Sequence, residues 1–258
     1  MTTREDMLKR IRQALSHPID GPSAAPPNPV PTEDLTGVMP AIPPEELLPK
    51  FEEELAKVGG AHHRATNRRE LEDILHTIVN QAQAPSVVLS RNILIAELGL
   101  AEAVRAWNVE TFTWPGLDAD SLSGNPKGQA DSAVPAAERA RYREACFAAQ
   151  VGITGADFAL SETGSLVVTS ATEGSQLASL APPVHVALYR RSQLVASLDD
   201  VLARLDMPRT PQEPLSGRSI VFITGTSRTA DIEQILIKGV HGPREVHAIL
   251  VEDTCLPR

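Results

Sequence analysis

Cysteine and aromatic residues are scarce in this sequence, and each shortage excludes a class of protein. The 258-residue chain has two cysteines, Cys146 and Cys255, which lie far apart and fit no metal-ligand spacing. Two cysteines argue against a disulfide framework, and they cannot supply the four thiolates of an iron–sulfur cluster within this chain. Because only 3% of the residues are aromatic while 42% are hydrophobic, we expect a core built from Leu, Ile, Val and Ala.

Positive charge and long hydrophobic runs are scarce as well. The formal net charge is −9 at pH 7, which argues against a nucleic-acid or anionic-membrane binder because phosphate groups demand a basic surface. A small anionic ligand is compatible with this charge, since it needs only a local positive pocket. No apolar run reaches the ~18 residues of a membrane span, and the N-terminus does not resemble a signal peptide. We therefore predict a cytoplasmic protein with no membrane span.

Motifs for cofactor chemistry are also missing. The sequence contains no Gly-x-Gly-x-x-Gly fingerprint, no Walker A loop and no Gly-x-Ser-x-Gly nucleophile elbow. His62 and His63 are adjacent, but no third ligand stands at a spacing that would complete a metal site. We predict that the chain binds no metal and no redox cofactor, so that any electron carrier would reside in a partner protein.

The N-terminal segment differs in composition from the rest of the chain. Apolar residues spaced four apart, among them Met7 and Ile11, predict an amphipathic helix within residues 1–17. Ten of the 21 prolines fall between positions 18 and 49, which predicts a linker or an extended arm over residues 18–44. An isolated helix cannot bury its apolar stripe alone, so it either docks on another subunit or partner or is disordered.

Residues 45–258 alternate between strand and helix patterns, which predicts an α/β domain. Short apolar and β-branched runs predict strands over residues 61–65, 86–89, 109–114, 151–154, 157–161, 165–169, 184–189, 219–223 and 246–251. Helical spacing is present over residues 45–58, 67–82, 92–98, 100–107, 136–150, 198–205 and 230–238. This alternation favours a largely parallel sheet covered by helices on both faces. Ligands of such folds collect at the carboxyl ends of the strands.

A glycine-framed segment after the strand at 219–223 is a candidate binding site. Residues 224–231 read Thr-Gly-Thr-Ser-Arg-Thr-Ala-Asp, and the helix predicted to follow would place backbone N–H groups and partial positive charge at the turn. The residues expected to contact an anion there are Gly225, Thr226, Ser227, Arg228, Thr229 and Asp231. The alternative is an ordinary strand-to-helix turn in which the hydroxyls cap the helix and Arg228 lies in solvent.

Two further turns contribute candidate residues. Glu162, Thr163 and Gly164 separate two predicted strands, and a carboxylate there can act as nucleophile or general base if burial raises its pKa. Otherwise the carboxylate fixes the turn by accepting backbone hydrogen bonds. His241 lies between glycines in residues 239–243 and either contacts the ligand or is satisfied by a backbone carbonyl. We expect these candidates to converge in one electropositive cleft where the sheet ends.

Four segments together resemble the LUD domain family. They are residues 152–167, 182–185, 225–233 and 239–243. Their order and spacing match the family over roughly residues 45–252. The resemblance implies a Rossmann-like parallel α/β sheet similar to that of the sugar-isomerase and CoA-transferase superfamily. One departure is that residues 173–176 lack the basic residue that often stands there in the family.

The same resemblance implies a function in lactate metabolism. Family members without iron–sulfur motifs take part in the oxidation of L-lactate to pyruvate together with iron–sulfur partner proteins. This chain is expected to act in such a system as an accessory or ligand-binding subunit, with a small anion or an acidic side chain of a partner as its ligand. The alternative is an independent enzyme of the CoA-transferase or phosphosugar-isomerase type that uses Glu162.

Overall fold

The computed structural model describes residues 4–15, 42–115, 134–205, 219–230 and 236–256, and the chain divides into two compact units, Met1–Ala41 and Ile42–Arg258. In the first unit, helix α1 spans Arg4–Leu15 and carries Glu5 and Asp6 in its first turn, where acidic side chains stabilise the helix dipole. Across the described residues of both units, no helix is both long and apolar enough to span a bilayer.

The larger unit alternates helices and strands, as the apolar patterns predict. Its helices are α2 (Leu47–Lys57), α3 (Arg68–Gln81), α4 (Ile93–Glu97), α5 (Leu100–Ala106), α6 (Ala136–Ala148), α7 (Ser170–Glu173), α8 (Leu177–Leu180) and α9 (Leu198–Arg204). Its strands are β1 (Ala61–Ala65), β2 (Ser86–Leu89), β3 (Glu110–Thr113), β4 (Val151–Gly155), β5 (Phe158–Leu160), β6 (Ser165–Thr169), β7 (Val184–Tyr189), β8 (Leu194–Val195), β9 (Ile220–Ile223), β10 (Arg228–Ala230), β11 (Leu236–Lys238) and β12 (Glu245–Val251). Single 3₁₀ turns occupy Arg191–Gln193 and Asp253–Cys255.

Six strands form a parallel sheet in the order β1-β12-β7-β4-β2-β3. Every pairing in it is parallel, and at its centre Gly152 of β4 lies opposite both Val88 of β2 and His185 of β7. The inner strands are rich in Val, Ile, Leu and Ala because both faces of a parallel sheet are covered. This arrangement confirms the predicted α/β fold with a largely parallel, helix-covered sheet.

Alternate residues of the sheet enter separate parts of the core. Val87 and Leu89 of β2 pack with α3, α4 and α5 on one face, whereas Val88 packs with α6 and α8 on the other. The second face also carries α2, whose Phe51 and Leu55 are fully buried against β7 and β12. The core of this unit therefore has two layers, one on each side of the parallel sheet.

A second, four-stranded sheet corrects one part of the prediction. Its order is β8-β5-β6-β9, with β6 antiparallel to both β5 and β9 and with β8 parallel to β5. The strand predicted at residues 219–223 is present as β9, but its partner is β6. Because β9 belongs to this second sheet, the glycine segment that follows it does not lie at the carboxyl edge of the parallel strands.

The helix predicted over residues 230–238 is wrong. β10 and β11 form an antiparallel hairpin in which Thr229 is paired with Ile237, and residues 231–235 lie outside the described part of the chain. β-Branched residues favour paired strands, and a short apolar run is ambiguous between helix and strand until its partner is known. The turn at Gly225 therefore offers no helix N-terminus to an anion.

Capping residues begin two helices where the sequence indicates. Asn67 Oδ1 accepts a hydrogen bond from Glu70 N at 3.0 Å at the start of α3. Asn92 Oδ1 accepts one from Leu94 N at 2.9 Å at the start of α4. This bond occupies the Asn92 oxygen and leaves the amide nitrogen Nδ2 as the group that donates elsewhere.

Candidate functional site

The turn at Gly164 and the loop at Gly225 meet at the carboxyl-terminal end of α2. Both glycines have positive φ, +63° and +69°. A Cβ placed on Gly164 would lie 2.1 Å from Leu55 N, and one placed on Gly225 would lie 2.2 Å from Val58 O. Both positions therefore require glycine for its backbone conformation and for the close approach to the helix. The structure thus brings together two of the three segments that the sequence patterns indicate.

A chain of hydroxyl groups joins these two segments. Thr163 Oγ1 lies 2.7 Å from Ser165 Oγ, which in turn lies 2.7 Å from Thr224 Oγ1. Ser165 begins β6 and Thr224 follows β9, so the antiparallel pairing of these strands places the hydroxyls side by side. Each hydroxyl can donate or accept, and Thr163 is exposed. The chain can therefore present a hydrogen-bonding group to a ligand oxygen at its Thr163 end.

The Arg228 side chain covers Gly59, just beyond the end of α2. A Cβ placed on Gly59 would lie 2.2 Å from Arg228 Nη2, and Arg228 Nε donates to Thr226 Oγ1 at 3.2 Å. Thr226 is buried, whereas Arg228 is exposed. Within the described ranges no carboxylate pairs with Arg228, so its Nη groups can bind an anion from solvent in the forked geometry typical of guanidinium.

The loop at residues 239–243 pairs with the same segment. Ser227 N donates to Pro243 O at 2.9 Å, and Gly239 N donates to Ser227 O at 3.0 Å. His241 is exposed within this loop. The two backbone hydrogen bonds place the third predicted segment beside the second, although His241 itself extends into solvent.

Glu162 has a different role from its neighbours in the turn. Its Oε1 accepts a hydrogen bond from Leu198 N at 2.9 Å. That N–H belongs to the first turn of α9, which also has a capping box formed by Ser197 and Asp200. A carboxylate at this position stabilises the helix start. This contact is the one expected if Glu162 fixes local structure.

We call the converging residues the glycine-loop cluster. They are Thr163, Gly164, Gly225, Thr226, Ser227, Arg228 and His241. Of the other predicted site residues, Thr229 is a strand residue opposite Ile237 in the hairpin, and Asp231 lies outside the described residues. The cluster offers hydroxyl groups and a guanidinium, which are donors suited to a carboxylate or a phosphate.

A second group of polar residues, which the sequence patterns do not indicate, lies at the carboxyl ends of β2 and β4. Glu173 is fully buried, and its carboxyl group accepts hydrogen bonds from Ser90 Oγ, from Asn92 Nδ2 and, at 3.0 Å, from Gly155 N. Burial raises the pKa of Glu173 to about 8, against the opposing effect of these donors. At pH 7 the group is therefore largely protonated.

Asp157 is a second buried carboxyl in this region. It accepts hydrogen bonds from Thr169 N at 2.8 Å and from Thr172 Oγ1 at 3.0 Å, and burial raises its pKa as well. Its charge also contributes to the raised pKa of Glu173. The two carboxyls therefore influence each other's titration.

The position of these residues in the sheet is a second reason to consider them functional. β2 connects to β3 on one side, and β4 connects onward to β7 on the other. In open α/β sheets the crevice between two such strands, the topological switch point, is where ligands bind. We call the residues at this point the switch-point cluster. They are Ser90, Asn92, Trp114, Gly155, Asp157 and Glu173.

No local sequence pattern marks the switch-point cluster. Glu173 stands in the stretch Ala-Thr-Glu-Gly-Ser, which has the composition of an exposed loop. Its one distinguishing feature is the absence of the basic residue that often stands there in the family. The one signal in the sequence is positional, because residues 90–92 and 155–156 directly follow predicted strands. Recognising it requires the strand order, which the sequence alone does not supply.

His62, considered above as a metal ligand, and the buried His185 are both engaged within the fold. His62 Nε2 lies 2.8 Å from Tyr189 Oη and its Nδ1 lies 2.9 Å from Glu52 Oε1. His185 is fully buried, and its Nε2 lies 2.9 Å from Thr154 Oγ1. Burial lowers the pKa of His62 to about 4 and that of His185 to about 3. Both rings are therefore neutral near pH 7 and contribute to packing.

The chain is similar to several known proteins. The sequence model of the LUD domain matches residues 48–251. A lactate utilization protein C from Halalkalibacterium halodurans is 31% identical over 179 residues, which cover 69% of this chain and 75% of the relative. Another, from an Exiguobacterium species, is 29% identical over 260 residues, which cover 98% of this chain and 97% of the relative.

A solved structure shares the fold. The crystal structure of a DUF162 family protein from Deinococcus radiodurans matches with a TM-score of 0.50 and 19% identity, covering 81% of this chain and 99% of that one. The LUD domain match spans well over half of the 258 residues, and it includes the four segments on which the resemblance was based. The chain belongs to the LUD domain family.

Proposed function

We propose that this chain is an accessory component of lactate utilization that acts in the cytoplasm with iron–sulfur partner proteins. The observation that carries the proposal is the similarity to lactate utilization protein C from the Exiguobacterium species, which extends over 98% of this chain and 97% of that protein. A similarity over nearly the whole of both chains supports a shared role better than a shared fold would.

The chain's own residues favour a role other than electron transfer. Both cysteines are buried, and burial raises the pKa of Cys146 to about 12, so that thiol is protonated and a poor metal ligand. The sequence has no nicotinamide or flavin fingerprint. The electron pair released when L-lactate becomes pyruvate would therefore pass to iron–sulfur clusters held by the partners.

The glycine-loop cluster is the binding surface in this proposal. Arg228 would hold the two oxygens of a carboxylate through its Nη groups, and Thr163 would add a hydroxyl contact. The carboxylate would belong to a small acid or to an acidic side chain of a partner. In this role the chain binds and orients, and the redox chemistry takes place elsewhere in the assembly.

The alternative, an enzyme of the CoA-transferase or phosphosugar-isomerase type, has less support. It would need Glu162 as a free nucleophile or base. The Glu162 carboxylate instead accepts the Leu198 N–H at the start of α9. Breaking that bond would remove one of the contacts that stabilise the start of α9, so we do not assign the chemistry of such an enzyme to this residue.

Copurification tests the proposed function. The tagged chain, captured from cells grown on L-lactate, is expected to bring down proteins that contain iron and acid-labile sulfide. Arg228→Gln removes the charge of the glycine-loop cluster and should lower that yield several-fold, since a charge-assisted contact is worth about 1.5–3 kcal/mol. Arg69→Gln is the matched control, because Arg69 is 91% exposed on α3, and it should leave the yield unchanged. Capture of no iron–sulfur protein by the unaltered chain would refute the proposal.

A further inference from the structure

The switch-point cluster contains more polar groups than its packing requires. Ser90, Asn92 and Glu173 are all buried, and the Glu173 carboxyl receives three hydrogen bonds, from Ser90 Oγ, Asn92 Nδ2 and Gly155 N. Apolar side chains of similar volume would fill the same space without the desolvation of an acid. A buried acid with this many donors therefore points to a use beyond packing.

Trp114 provides an independent observation. The residue is only 4% exposed, and its indole Nε1 has no hydrogen-bond partner among the residues that the structure describes. This nitrogen lies 2.8 Å from the position that a Cβ would occupy on Gly174, the residue after Glu173. Buried N–H donors are nearly always satisfied, so among the described residues this indole N–H next to Gly174 is a donor still available to a ligand.

The strand order gives a third, separate reason. β2 continues through α4 and α5 to β3, and β4 continues through the second sheet towards β7. The two connections run in opposite directions along the sheet, and the donors to Glu173 stand where these connections begin. Trp114 directly follows β3, the strand next to β2, so its indole belongs to the same edge of the sheet.

We propose that the switch-point cluster binds a small carboxylic acid whose oxygen accepts a hydrogen bond from Trp114 Nε1. The class of ligand follows from the groups present. Ser90 Oγ and Gly155 N already donate to Glu173, and the Asn92 oxygen is occupied by Leu94 N. The indole N–H, which can only donate, remains available and calls for an acceptor. Because burial raises the pKa of Glu173 to about 8, its carboxyl is largely uncharged near pH 7 and does not repel a carboxylate.

The close packing at two glycines limits the size of the ligand. A Cβ on Gly155 would lie 2.1 Å from Asn92 Nδ2, and one on Gly174 would lie 2.8 Å from Trp114 Nε1. A side chain at either glycine would overlap these donors, so we restrict the proposed ligand to a small acid. The choice of L-lactate and pyruvate as probes rests on the proposed function, whereas the existence of the site does not.

Tryptophan fluorescence tests this inference directly, because the chain has two tryptophans, Trp107 and Trp114. Trp107→Phe leaves Trp114 as the sole reporter and serves as the reference protein. Titration of this protein with L-lactate or pyruvate is expected to change Trp114 emission saturably, whereas sodium sulfate should not. Adding Glu173→Gln to the reference protein should weaken the affinity about tenfold, because the Gln amide nitrogen cannot accept from the donors that the Glu173 carboxyl holds in place.

Two controls keep the outcome interpretable. Trp114→Phe, made in the chain that keeps Trp107, removes the indole N–H but keeps an aromatic ring. Calorimetry should show that this variant also binds the acids about tenfold more weakly. This measurement remains available if Glu173→Gln folds poorly. Arg69→Gln in the reference protein should leave the affinity unchanged, because Arg69 is 91% exposed on α3. Absence of saturable binding of both acids, an equal response to sulfate, or an equal loss in Arg69→Gln would each overturn the inference. The first of these results would leave the copurification result, and so the proposed function, untouched.

Discussion

At the scale of single residues, Glu173 has the environment that departs most from that of a surface carboxylate. Its ordinary pKa is 4.5, and burial raises it to about 8. Between these two values the folded chain holds a proton that the unfolded chain releases. The stability that this residue contributes is therefore fully present below pH 4.5 and is lost as pH rises through about 8.

Substitution of this residue should change the pH dependence of folding. Glu173→Gln cannot titrate, and its amide nitrogen faces a donor, either Asn92 Nδ2 or Gly155 N, so we expect a loss of about 1–3 kcal/mol at pH 5. The difference in stability between the two proteins should then shift in favour of the variant as pH rises from 5 to 8, by at most about 1.4 kcal/mol for each pH unit. Urea denaturation at several pH values measures this difference.

The comparison also removes the effect of two titrating histidines. His62 and His185 have lowered pKa values in the fold, so they reduce stability as pH falls below about 6.5 in both proteins. Their contribution cancels in the difference between variant and parent. A difference that stays constant from pH 5 to pH 8 would show that Glu173 is ionised throughout, which contradicts a raised pKa.

At the scale of elements, the contact between the β5–β6 turn and the end of α2 determines the shape of the glycine-loop cluster. Gly164 has a φ of +63°, and a Cβ there would lie 2.1 Å from Leu55 N and 2.5 Å from Glu54 C. Both obstacles are helix backbone, which cannot rotate away as a side chain could. The turn can therefore accept a side chain only if the second sheet separates from α2.

A pair of glycine substitutions separates this contact from simple backbone strain. Gly164→Ala is expected to lose about 2–5 kcal/mol, since it combines left-handed backbone strain with overpacking. Gly99→Ala is the matched control, because Gly99 also has positive φ, +52°, but the nearest atom to its Cβ would be 3.7 Å away, so only about 1–2 kcal/mol of strain applies. Denaturation curves give both values, and equal losses would contradict the proposed packing.

The sequence is sufficient to predict elements that have a continuous apolar pattern. It is insufficient where the secondary structure or the sheet order depends on which strands pair. β2, β4 and β7 are predicted correctly because buried parallel strands are apolar on both faces. The pairing of β9 with β6 is not predicted, because the sequence of residues 219–223 does not indicate which strand will be its neighbour. The helix expected over residues 230–238 is wrong for a related reason, because its short apolar run pairs as β11 with β10.

The candidate sites likewise include residues that the sequence indicates and residues that it does not. The glycines at 164 and 225 stand out in their sequence frames, and the structure explains both by a close approach to α2. No distinctive sequence motif surrounds Glu173. It becomes a candidate only in the folded chain, where Ser90, Asn92 and Gly155 donate hydrogen bonds to its carboxyl. Tertiary contacts over more than 80 positions of sequence separation, such as Ser90 with Glu173, cannot be read from local spacing.

At the scale of the whole molecule, the chain combines an acidic composition with local groups that suit an anion. The net charge of −9 disfavours association with nucleic acid or anionic lipid, while Arg228 and Trp114 Nε1 are the groups to which we assign carboxylate binding. In the proposed function these features belong to a subunit that binds and orients within an assembly whose partners carry the electrons.

The most direct test of the proposed function is the rate at which L-lactate reduces an artificial electron acceptor in an extract from cells that lack this chain. We predict that the rate falls to background in that extract and returns when the purified chain is added back. A rate equal to that of the complete extract, with no change on addition of the chain, would contradict the proposal that this protein acts as an accessory component in lactate oxidation.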